Sequence, residues 1–188
     1  MFLDIGAGIL IAIWVQSTHA LLFSWSFVIA GAVFALLPDL DFIVPVIAKR
    51  GFEGLLRHRE GLHYPLLYIP IGAFIFTFFG VQWAELFVLA SCAHFLHDSI
   101  GLGWGVQWLY PFTKDHYSFF YMYKPRFRPE KLPRKIFYVW KDDEIEALDV
   151  RFGDPDWIKN VYFKWHPYAI VEFLVFLAAL VVLYIHVR

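Results

Sequence analysis

Apolar residues run almost unbroken from Ile5 to Leu37, interrupted only by the polar group Gln16-Ser17-Thr18-His19. At about 1.5 Å per residue, one helix of that length would overshoot a hydrocarbon core of about 30 Å, so the chain must turn back at the polar group. The pattern predicts a helical hairpin, with helix one over 4–17 and helix two over 19–37. Pro38 is expected to end helix two, because a proline pushes the residue before it out of the helical region. Asp39 and Asp41 then fall in extended or irregular backbone at the helix mouth. Pro65 suits a first-turn position and opens helix three over 64–79, and a tight turn at Gly80-Val81-Gln82 leads into helix four over 83–100. The cleanest apolar run is the last, 167–187.

Two stretches separate these runs. Residues 42–63 carry Lys49, Arg50, Arg57 and Arg59 and read as a connection lying at the membrane interface. In 101–166 aromatics and cations rise together, from Tyr117, Phe119 and Phe120 to Lys124, Arg126 and Arg128, a mixture suited to headgroup level. Within it, Ile136-Phe137-Tyr138-Val139-Trp140 is a candidate short strand. The expected class is an all-α integral membrane protein of about five transmembrane helices, with a cytoplasmic interfacial segment between helices four and five.

Composition agrees with that class. Of 188 residues, 60% are hydrophobic and 21% aromatic, far from a soluble average. No Lys or Arg precedes the first apolar stretch, so the charged start of a secretory signal is missing and that stretch is expected to stay in the protein. The lone cysteine, Cys92, excludes a disulfide framework. A net charge of −1 without a basic binding motif excludes a nucleic-acid partner. Loop 38–63 holds four Lys and Arg and 101–166 holds eleven, against Arg188 alone on the other side. The positive-inside rule therefore places both loops in the cytoplasm.

That topology gathers three polar clusters on one face: Asp39 and Asp41; His58, Arg59 and His63; and His94, His97 and Asp98. Carboxylates and imidazoles near lipid are costly unless they pair or bind an ion, so their convergence points to a metal centre. His94 and Asp98 stand four apart on one helix side and can approach a single ion. His97, three residues from His94, is a candidate for the same side. Mixed imidazole and carboxylate ligands suit zinc, manganese or iron better than calcium, and the surplus over four allows one or two divalent ions. Asp39, Asp41, His58, His63, His94 and Asp98 are the candidate ligands, with His97 and Arg59 as catalytic candidates, Arg59 to neutralise a phosphate. Asp4 opens helix one at the same face and is a further candidate ligand. His19 lies one helix length from Asp39 and belongs at the opposite face, as a hydrogen-bonded hairpin histidine. Glu172, a carboxylate in the last span, is a candidate for the bundle interior with no role assigned.

The motifs Leu36-Leu37-Pro38-Asp39-Leu40-Asp41, His58-Arg59-x-Gly61-x-His63, and His94-x-x-x-Asp98 followed by Gly105-Val106-Gln107-Trp108-Leu109-Tyr110-Pro111-Phe112 resemble the predicted membrane-bound metal-dependent hydrolases of the YdjM type. The second block departs from that pattern: its glycine is displaced by one, and Leu62 and Tyr64 replace the usual Thr and Ser. The resemblance covers 1–112 as a helical hydrolase core, leaving 113–166 as the interfacial segment and 167–188 as a terminal helix. It implies a multi-pass inner-membrane enzyme, its site facing the cytoplasm, using zinc or manganese to hydrolyse an ester or phosphoester in a phospholipid or other membrane-associated substrate. The alternative is a non-enzymatic transport or scaffold protein whose polar cluster forms an ion or metal site.

Overall fold

The computed structural model describes residues 1–42, 62–120 and 135–188. Five apolar helices form the bundle among these residues: α1 (Phe2–Thr18), α2 (Trp25–Leu36), α3 (Pro65–Thr77), α4 (Val81–Asp98) and the C-terminal helix Pro167–Val187. A short helix, α5 (Ile145–Phe152), precedes that last one, which is α6. The fold is mostly helical, as expected, and adds a two-stranded antiparallel sheet of β1 (His116–Phe119) and β2 (Phe137–Trp140). The strand expected at Ile136–Trp140 is β2.

The hairpin turns where the polar group lies, but α2 is shorter than the predicted 19–37. Buried Gln16 is the reason: its side-chain carbonyl accepts from the Ser24 amide at 2.6 Å, which holds the chain extended up to Trp25. At the other end of α2 the expectation of extended backbone fails. Leu37 keeps helical dihedrals (φ −59°, ψ −37°) despite the following proline, and a 3-10 turn carries the chain on from Leu37 to Phe42. Proline is tolerated there because the first turn of a helix does not require its missing N–H.

α1 is the central helix and packs against α2, α4 and α6, while α3 leans on α4. Small residues let it approach closely. A Cβ on Gly8 would collide with the Gly31 carbonyl of α2, and one on Gly6 would stand 2.9 Å from the Phe176 Cα of α6. Fully buried Ala12, Val15, Ala35, Leu86 and Ala90 line the interior. The outward faces are apolar as well: Ile29 and Val33 on α2, Ile71 and Phe74 on α3, and Val181 and Ile185 on α6 are exposed. Such a belt matches lipid rather than water. Among the described helices only α6 combines the length and composition of a full membrane span, while α1 and α3 are apolar but shorter.

Because the α1–α2 contact has no space for a methyl group, Gly8→Ala is expected to destabilise the bundle by about 1–3 kcal/mol, the range for overpacking. Thermal unfolding in detergent would measure it. An unchanged midpoint would mean that the two backbones are not in register at this point.

Candidate metal centre

Asp39, His63, His94 and Asp98 each place one ligand atom so that all four lie within 4.8 Å of one another. Three segments supply them. Asp39 comes from the 3-10 turn after α2, His63 from the residues just ahead of α3, and His94 and Asp98 from the last turns of α4. The shared helix side predicted for the last two is what joins them.

Their spacing can be tested against an ion. Four ligands at about 2.0–2.2 Å from one metal stand about 3.3–3.6 Å apart along the edges of a tetrahedron. The two Nε2 atoms of His63 and His94 are 3.4 Å apart. From His63 Nε2 the distances are 3.2 Å to Asp98 Oδ2 and 3.8 Å to Asp39 Oδ1. From His94 Nε2 both carboxylates stand at 3.7 Å. These five edges are close to those around one divalent ion with two imidazole and two carboxylate donors, and the sixth, between Asp39 and Asp98, lies within 4.8 Å. Both histidines are buried, whereas the Asp39 side chain is 38% exposed, so the centre opens on the Asp39 side.

Behind each histidine stands another carboxylate. His63 Nδ1 pairs with Asp41 Oδ2 at 2.6 Å, and His94 Nδ1 faces Asp4 Oδ1 at 3.5 Å. A carboxylate in this position fixes the ring and turns Nε2 toward the other candidate ligands. Asp41 and Asp4, expected as ligands, thus lie outside the group of four. The 3-10 turn explains Asp41: at about three residues per turn, positions two apart point about 120° from each other, so Asp39 faces the centre and Asp41 the back of His63. His97 also faces elsewhere, with Nδ1 2.8 Å from Asp4 Oδ1 and Nε2 3.4 Å from Glu172 Oε1. His58 and Arg59 lie outside the described residues.

The motif at 105–112 braces His63. Trp108 Nε1 donates to Ser99 Oγ at 2.8 Å, tying the segment to the end of α4, and Tyr110 stacks on Tyr64 at 3.9 Å, next to His63. Gly105 bends the segment at φ +81°, where a Cβ would strike the Tyr117 carbonyl of β1. His19 lies at the far end of the bundle as expected, 2.6 Å from Glu85 near the start of α4. Glu172 was given no role from the sequence, yet it is buried among this network. Its place in the bundle interior is the one that a lone carboxylate within an apolar span suggests.

Fold and site together define a helical membrane protein with a candidate metal centre at one end of its bundle. The chain belongs to the YdjM inner membrane protein family, whose sequence model matches residues 4–187. That match extends through 113–187, beyond the motifs that carried the resemblance. No curated protein and no solved structure matches the chain.

Burial works to lower the pKa of His63, but hydrogen bonds and charge from Asp41 and Asp98 raise it to about 9. The Asp39 carboxyl is raised, chiefly by partial burial. Without a cation, a proton on His63 offsets the carboxylates around it, and a metal must displace that proton. Zinc binding near neutral pH is therefore expected to release a proton, with affinity rising about tenfold per pH unit while His63 remains protonated. Calorimetric titration in buffers of different ionisation enthalpy measures the release. Binding without it would show that His63 is not a ligand.

Proposed function

We propose that this protein is a membrane-embedded, metal-dependent hydrolase that cleaves an ester or phosphoester bond in a phospholipid or other membrane-associated substrate. The observation that carries the reading is the tetrahedral spacing of two histidine nitrogens and two aspartate oxygens around a point that opens beside Asp39. A catalytic ion needs a position for water beside its protein ligands, and with four side chains here that position would come from a fifth site, or from Asp39 giving way, on the exposed Asp39 side. When bound, a divalent ion supplies a Lewis acid and an acidified water. Zinc or manganese suits the donors.

In this reading His63 and His94 bind through Nε2 and Asp39 and Asp98 through one oxygen each, while Asp41 and Asp4 hold the two rings. Arg59 neutralises the phosphate charge of the substrate, and His58 stays a candidate for a second ion. α1 to α4 and α6 are the membrane-embedded helices. The Lys and Arg of 38–63 and 101–166 support a cytoplasmic placement of the open side of the centre. A transport path has less support. At the far end the His19–Glu85 pair is separated from the centre by buried Ala12, Leu86 and Ala90, and the buried polar groups between them among the described residues, the Ser91 and Tyr68 hydroxyls, carry no charge.

Metal analysis of purified protein tests the ligand set. Asp39→Ala and Asp98→Ala are each expected to lose most bound metal, together with hydrolysis of lipid and phosphoester substrates, while the helices persist. Asp4→Ala weakens binding less, and His19→Ala leaves metal content nearly unchanged. Full metal content in Asp39→Ala and Asp98→Ala would overturn the ligand set. A metal-loaded protein inactive on every ester and phosphoester tried, but carrying ions across proteoliposomes, would favour the transport reading.

A further inference from the structure

Beside the four ligands lies a second buried cluster whose members have no donor atom among them. Asp4 of α1, His97 of α4 and Glu172 of α6 are 1%, 9% and 1% exposed. Glu172 Oε1 accepts from the Tyr162 hydroxyl at 2.8 Å and stands 3.4 Å from His97 Nε2. His97 Nδ1 lies 2.8 Å from Asp4 Oδ1, its ring stacked on Tyr168 with 12° between the planes. The same Asp4 oxygen faces His94 Nδ1 at 3.5 Å. The Met1 nitrogen bridges the other oxygens, 2.7 Å from Asp4 Oδ2 and 3.4 Å from Glu172 Oε2.

We propose that Glu172 and His97 are positioning residues for the metal centre: they fix Asp4 behind His94, so that the C-terminal helix sets the geometry of a ligand borne by α4. This rests on the metal reading above. The two histidine ligands differ in how they are held. His63 Nδ1 is held by Asp41 at 2.6 Å, whereas among the described residues the carboxylate behind His94 Nδ1 is Asp4 at 3.5 Å, through an oxygen already engaged by His97. The place of that oxygen, and so the angle of the His94 ring, is decided by where His97 stands. Glu172 decides that in turn, because it meets the opposite nitrogen of the same ring. A carboxylate in an apolar span is costly unless it is paired, and here its pairing spans three helices and ends at a ligand. Removing such a support typically lowers metal affinity about 10–100-fold.

Cobalt(II) is the probe, because its visible absorption reports ligand geometry independently of turnover. In Glu172→Ala, cobalt affinity is expected to fall about 10–100-fold and the absorption to change, because His94 is no longer held at one angle. Glu172→Gln retains an oxygen for Tyr162 and His97 and is expected to keep the wild-type absorption, with affinity within about threefold of wild type, a rescue that position alone explains. Tyr162→Phe removes one hydroxyl and serves if Glu172→Ala does not fold; a smaller weakening in the same direction is expected. Glu85→Ala, at the far end of α4, leaves both readouts unchanged. If the wild-type protein takes up no cobalt, the metal reading falls and this inference with it. If it binds cobalt, and Glu172→Ala and Tyr162→Phe match its affinity and absorption, the positioning role alone is overturned.

Discussion

An ionisable side chain inside an apolar bundle has no water to solvate it, so it must meet a group of opposite sign or a cation. Asp4, Asp41, His63, His94, His97 and Glu172 are all buried at one end of this bundle, and each stands within 3.5 Å of another member of the set. The pairing is ordered: carboxylates sit behind the histidines, and two histidine nitrogens are left facing two further carboxylates. That alternation of acid and base turns a costly collection of polar groups into a place where a divalent ion completes the charge balance.

Helix packing makes the pairing possible. Asp4 can stand between α4 and α6 only because α1 approaches its neighbours almost backbone to backbone, at Gly8 against Gly31 and at Gly6 against Phe176. Lipid gives helices little hydrophobic reason to associate, so close contact and buried polar bonds carry the association. The glycines of α1 therefore serve the centre as well as the bundle.

The asymmetry of the molecule fits chemistry at one face. Trp108 and Tyr110 flank the ligands on one side and Tyr162 and Tyr168 flank the Asp4, His97 and Glu172 cluster on the other, while the buried side chains toward His19 and Glu85 include Ala12, Val15, Leu86 and Ala90. An ion held here is approached from the side of Asp39. In the proposed reading, that is the side on which a substrate at the membrane surface would meet it.

Much of this was legible in the chain itself. The ends of α3, α4 and α6 follow from apolar runs punctuated by Pro65, Gly80 and Pro167, and connectivity alone carries Asp39, His63, His94 and Asp98 to one end. Their residue types pointed toward a metal, because a mixed set of imidazole and carboxylate donors suits a divalent transition ion. What the chain left open was the division of labour within the cluster. Asp39 and Asp41 look equivalent until a 3-10 turn sends them to opposite sides of His63. His94 and His97 look alike until α6, packed on α1, brings Glu172 within 3.4 Å of His97. Those outcomes depend on a rotation per residue and on a helix joined to α4 only through a long intervening segment. Local pattern encodes which groups are present and at which end, and only packing decides which nitrogen or oxygen faces the ion.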